Sequence, residues 1–167
     1  MSRDHVKTSQ SLDGRPKAIT VYLTVSAIAH LIWEALQLPL YTIWNTGTMR
    51  EKAVALAQCT AGDLLIATSS LFVALILAGS RDWPNEKYFR VASVAIVLGV
   101  LYTAFSEWLN VAVRRSWTYS DWMPVILLGT IGIGLSPLLQ WVVVPTLSFF
   151  YARRAAGRLT DLRRLSS

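Results

Sequence analysis

Four long apolar runs, broken only by short polar segments, constrain this chain more than any other feature of its 167 residues. They extend over Ala18–Tyr41, Ala53–Ala78, Val91–Val113 and Pro124–Tyr151. A helix needs about 20 apolar residues to cross about 30 Å of hydrocarbon, and every run reaches that length. Inside a bilayer each backbone N–H and C=O must be paired within the protein, which leaves helices or closed barrels. Barrel strands would read as alternating segments of about ten residues, and none is present. The expectation is an all-α, integral-membrane four-helix bundle. Only 16% of residues are charged, against about 25% in an ordinary soluble domain, and the mean hydropathy is +0.42.

The charges that remain are unevenly placed. Arg3, Lys7, Arg15 and Lys17 precede the first run. Arg81, Lys87 and Arg90 lie between the second and third, and Arg153, Arg154, Arg158, Arg163 and Arg164 follow the fourth. The opposite side carries only Arg50, Lys52, Arg114 and Arg115. Basic residues stay on the cytoplasmic side of a membrane, so both termini and the middle loop are expected there, in a bacterial inner (cytoplasmic) membrane. Residues 1–17 then form a basic N-tail, residues 18–152 the four-helix domain and residues 153–167 a basic C-tail. Leu159, Leu162 and Leu165 among the C-tail arginines suit a helix on the inner leaflet or a solvated tail. Residues 1–17 are too polar, and the first run too long, for a cleaved signal peptide. The net charge of +6 is a sidedness signal here, and nucleic acid is not an expected partner.

Ionisable groups inside the runs are costly and therefore informative. His30, Glu34 and Gln37 lie at i, i+4 and i+7 on one helical face. Gln58, Cys59 and Asp63 occupy the second run. Thr103, Glu107 and Asn110 repeat the i, i+4, i+7 pattern in the third, with Arg114 a turn beyond. At about 1.5 Å rise per residue, Glu34, Asp63 and Glu107 fall in one layer, His30 a turn deeper than Glu34. His30 and Glu34 are read as a proton-sharing pair, and Glu107 has Arg114 as an alternative, structural partner. One cysteine, Cys59, excludes an intrachain disulfide and dithiol redox chemistry. Two histidines, one in the N-tail, give no haem pair, and no Glu-x-x-His repeat supports a metal site. Nucleophile-elbow and phosphate-binding glycine patterns are absent, and no cofactor is expected.

Span four carries Pro137 and Pro145, which suggests a kinked helix. Its pairs Thr130/Gly134 and Gly132/Ser136 would make a small-residue face open to close helix approach, as a homodimer contact or a contact with a larger complex.

The segments QCTAGDLLIA, SEWLNV, RSWTYSDWMP and GLSPLLQW resemble a bacterial family of small integral membrane proteins without assigned function. In layout, HLIWE, LYTAFSEW and PLLQWVVVP resemble three helices of the EXPERA group, the emopamil-binding-protein-like sterol isomerases. Gln140 stands near that group's asparagine, and its second-helix motif is not matched. The resemblance implies a lipophilic pocket lined by His30, Glu34, Glu107 and Trp141, in which carboxyls shuttle a proton. His30, Glu34 and Glu107 are the expected proton-transfer residues. Gln37, Asp63, Tyr102, Asn110, Arg114 and Trp141 are the expected ligand contacts. Binding a lipophilic small molecule, with isomerisation as the reaction the resemblance implies, competes with two other readings: a subunit or assembly factor of a membrane complex, and a dimeric proton-coupled transporter.

Overall fold

The structure is a computed structural model that describes the backbone of residues 2–165 and the side chains of residues 14–157 except Leu128. The tail side chains of Arg3, Lys7, Leu159, Leu162, Arg163 and their neighbours lie outside the described residues. Helix α1 spans Ser2–Gln37, so helical backbone runs on through the stretch expected to be a tail. A 3-10 turn, Leu38–Leu40, and a one-turn helix α2, Ile43–Thr46, lead into α3, Met49–Ala78. Thr48 and Glu51 start α3 with reciprocal side-chain-to-backbone bonds, which pair two N–H groups that a helix start leaves free. Helix α4, Tyr88–Glu107, continues into a π-helical turn, Trp108–Val113. Strands β1, Val125–Leu128, and β2, Ile131–Gly134, form an antiparallel hairpin. Helix α5, Leu135–Leu165, ends the chain. Among the described residues four helical segments are long and apolar enough to cross a membrane: Gly14–Leu40, Met49–Ala78, Tyr88–Val113 and Leu135–Gly157.

The hairpin corrects both the all-α expectation and the start of span four. Hydropathy alone cannot tell an apolar helix from an apolar hairpin, and VILLGTIGIG is apolar throughout. Its glycines disfavour helix, its isoleucines and valine favour strands, and Gly129 takes φ +65 at the turn. Thr130 lies in that turn, and Gly132 and Gly134 in β2, so the expected small-residue helix face does not form. Pro137 falls in the first turn of α5, where a missing N–H costs nothing. Pro145 is the proline inside α5.

The four long helices form a ring in which α1 touches α5 and α3, and α4 touches α3 and α5. Packing is tightest toward the end that holds the α3–α4 loop. There Tyr22, Leu71, Trp83, Val91, Phe149 and Ala152 are buried together, and Ser26 Oγ donates to Ser148 Oγ at 2.9 Å between α1 and α5. The Arg153 guanidinium lies over the rings of Tyr88, at 4.8 Å, and Phe89, at 5.6 Å. At the other end the α1–α3 and α4–α5 connections pair with each other. The Thr42 N–H donates to Thr118 O, Ser120 N–H to Leu40 O, and Tyr41 bridges Tyr119.

Helix α3 packs unevenly. Its buried residues are Ala67, Ser70, Leu71, Ala74, Leu75 and Ala78, all in the half nearer the α3–α4 loop. None of residues 49–66 is buried.

Candidate functional site

Where α3 ceases to pack, the bundle leaves an open-sided cavity of about 1060 Å³ between α1, α3, α4 and α5, beneath the paired connections. Six of the expected residues line it: Glu34, Gln37, Asp63, Tyr102, Glu107 and Trp141. The convergence of the three carboxyls follows from helix periodicity in a closed ring, since each lies on the face its helix turns toward the others.

The carboxyls are held by different partners. Glu34, 8% exposed, accepts from Gln37 Nε2 at 2.6 Å. Asp63 Oδ2 accepts from Gln140 Nε2 at 2.9 Å. Glu107, 5% exposed, accepts a hydrogen bond from the Tyr119 hydroxyl, which in turn accepts from the Gly134 N–H at 2.9 Å. Burial and the adjoining Glu107 carboxylate push the Tyr119 phenol well above its usual value. Burial, followed by the charges of Glu107 and Glu34, does the same to Tyr41, whose ring lies 5.7 Å from that of Tyr119.

Trp141 is buried against α4 at Gly99, where a Cβ would come within 2.1 Å of its ring. Thr103, one helical turn from both Gly99 and Glu107, lines the cavity with its hydroxyl buried and without a partner among the described residues. The lining mixes these polar groups with Leu38, Val54, Leu65 and Ile66. A site so built suits an amphiphile: apolar walls for its body and fixed hydrogen-bonding groups for one polar end.

Three expected site residues lie elsewhere. His30 is fully buried behind the cavity wall, its ring 5.0 Å from Trp141. Its polar neighbours are Gln140 Nε2 at 2.9 Å and Asp63 Oδ2 at 3.4 Å. The expected His30–Glu34 pair is therefore replaced by an arrangement in which two glutamine amides stand between them. Asn110 donates to Ser106 O at 2.9 Å, and Arg114 is exposed. Neither lines the cavity, and Tyr119, not Arg114, is the partner of Glu107. The cause is the π-helical turn. It adds a residue per turn beyond Glu107, so Asn110 and Arg114 rotate off the face that an unbroken α-helix would have given them.

Sequence reasoning missed Tyr119, Ser136 and the central role of Gln140. The signal for Gln140 was present, since an amide in the middle of an apolar span requires partners. Tyr119 and Ser136 become partners only through the return of the chain over the bundle. Among the described residues no three His, Cys, Asp or Glu side chains converge to hold a metal ion. No family model, no curated protein and no solved structure matches this chain, so the site stands on its own geometry.

Proposed function

We propose that this protein binds a lipophilic small molecule in the cavity between its four helices, with the polar end of the ligand at Glu34, Asp63, Glu107 and Thr103. The observation that carries the reading is the cavity itself: Glu34, Asp63, Glu107 and the unpartnered Thr103 hydroxyl sit in a chamber whose wall is mainly apolar surface, with Thr48, Arg50 and Glu51 at its rim near the start of α3. Water-soluble ligands would need no such apolar approach. The loosely packed half of α3 offers a lateral way in from the lipid, past Val54, Leu65 and Tyr102, which line the cavity and are exposed. Glu34 and Glu107 are the groups placed to exchange a proton with a bound molecule, and isomerisation of the ligand is the reaction class that the layout resemblance to emopamil-binding-protein-like proteins supports. On this reading the chain resides in a bacterial inner membrane with both termini in the cytoplasm, the orientation its basic residues favour.

Glu34→Gln and Glu107→Gln test the proposal. Each keeps a side-chain oxygen able to accept from Gln37 or Tyr119 while removing the acid. The protein purified in mild detergent should carry a co-purifying small molecule, seen by native mass spectrometry. Both variants should melt near the wild type and lose that molecule. Full retention in both would end the case for a carboxyl-based site.

A further inference from the structure

The hydrogen bonds around the carboxyl layer have a direction, and one side chain sets it. Trp33, half-buried on α1, brings its indole N–H to Gln37 Oε1 at 3.2 Å and to Ser136 Oγ at 3.3 Å. An indole nitrogen donates and never accepts, so the Gln37 atom it meets is the carbonyl oxygen. Ser136 Oγ donates to the same oxygen at 2.8 Å. The Gln37 amide nitrogen then faces the other way, donating to Glu34 Oε1 at 2.6 Å and to Gln140 at 3.3 Å. A donor at that point requires Gln140 to present its oxygen. Its own amide nitrogen is left for Asp63 Oδ2 and His30 Nδ1, each at 2.9 Å. A ring nitrogen that receives an N–H carries no proton itself.

We propose that Trp33 is a positioning residue which, through Gln37 and Gln140, fixes His30 as the neutral tautomer with its proton on Nε2. The 3.4 Å approach of His30 Nδ1 to Asp63 is then two acceptors sharing one amide donor, and no ion pair exists there. His30 Nε2, buried and unpartnered among the described residues, carries the N–H. The groups facing the ring are Asp63 from α3 and Gln140 and Trp141 from α5.

Reversing the relay needs three changes at once. Gln37 would have to turn its nitrogen toward the indole N–H, and Glu34 and Asp63 would each have to be protonated to donate to the amide oxygens that then face them. Trp33 opposes the first change.

Nitrogen-15 NMR of the full chain in lipid nanodiscs, with labelled histidine, reads the tautomer directly, and a His5→Gln background leaves His30 as the single signal. At neutral pH the wild type should show Nδ1 as an unprotonated ring nitrogen and Nε2 as an N–H. Trp33→Phe keeps an aromatic ring but removes the donor, and the signal should become a mixture of tautomers. Ser136→Ala, which keeps the Trp33–Gln37 bond, should leave the single tautomer intact. Gln140→Glu places an acceptor at Nδ1 and should move a proton onto that nitrogen. A wild-type ring protonated at Nδ1 overturns the assignment without any variant, and an unchanged tautomer in Trp33→Phe overturns the role of Trp33. The measurement reports on the ring alone, so it stands or falls separately from ligand retention.

Discussion

Gly99 is the position where one missing methyl group sets where the Trp141 indole stands beside the cavity. Any larger residue would place Cβ 2.1 Å from Trp141 Cε3 and 2.7 Å from Cζ3, and a rigid indole has no flexible end to withdraw, only the cavity beside it to move into. Gly99→Ala is expected to destabilise by about 1–3 kcal/mol, the usual cost of overpacking, and to push the indole toward the cavity. A lowered melting temperature together with a lost co-purifying ligand is the expected result, and wild-type melting would show that the indole has room. Tyr119 matters for a different reason, since its hydroxyl both donates to Glu107 and accepts from Gly134. Tyr119→Phe leaves a buried carboxyl and a backbone N–H short of partners, at about 1–3 kcal/mol. The same phenol gives an alkaline signature. Its folded value is raised above the ordinary value of 10.0, so its contribution is whole below about pH 10 and is lost as pH rises through the folded value. Thermal melts between pH 9 and about 11 should fall more steeply for the wild type than for Tyr119→Phe.

At the scale of elements, the hairpin and the π-helical turn mark where the sequence could be followed and where it could not. The membrane-crossing helices were legible because length and hydropathy suffice for them, and Glu34, Asp63 and Glu107 were legible because their spacing puts them on inward faces. Span four was read about eleven residues too long at its start, because an apolar stretch satisfies hydropathy in either conformation. The run of glycines with β-branched neighbours was the available warning. Asn110 and Arg114 were placed by extrapolating an α-helical face through a segment that changes pitch at Trp108, and no side chain there announces the change. The pairing of His30 was misjudged for a reason spacing cannot reveal: its partners come from α3 and α5, and the nearest carboxyl on its own helix is taken by Gln37. The hairpin also makes an expected outcome. Gly129 holds φ +65 with open space around it, so the obstacle to a side chain is backbone strain and not collision. Gly129→Val should cost about 1–2 kcal/mol, while Gly129→Asn, better suited to that conformation, should cost less. Denaturation in detergent compares the two, and equal losses would mean that the turn does not keep its left-handed residue.

For the whole molecule, sidedness is the first thing to measure. Reporter fusions after Asn85 and Thr160 should be cytoplasmic, and those near Thr48 and Thr118 should lie across the membrane. The opposite pattern would reverse the leaflet from which a ligand reaches the cavity. The uneven packing of α3 has a mechanical consequence. A helix clamped along one half by close alanine contacts and unburied along the other behaves as a lever anchored near Ala67. Thermal energy should move its far end while the near end holds still, because local stability follows local contact. Spin-label pairs at Lys52 and Ser116 should give a broad distribution of distances, and pairs at Ala78 and Arg90 a narrow one. Filling the chamber should sharpen only the first, so the width of one distance distribution would report whether the chamber is occupied.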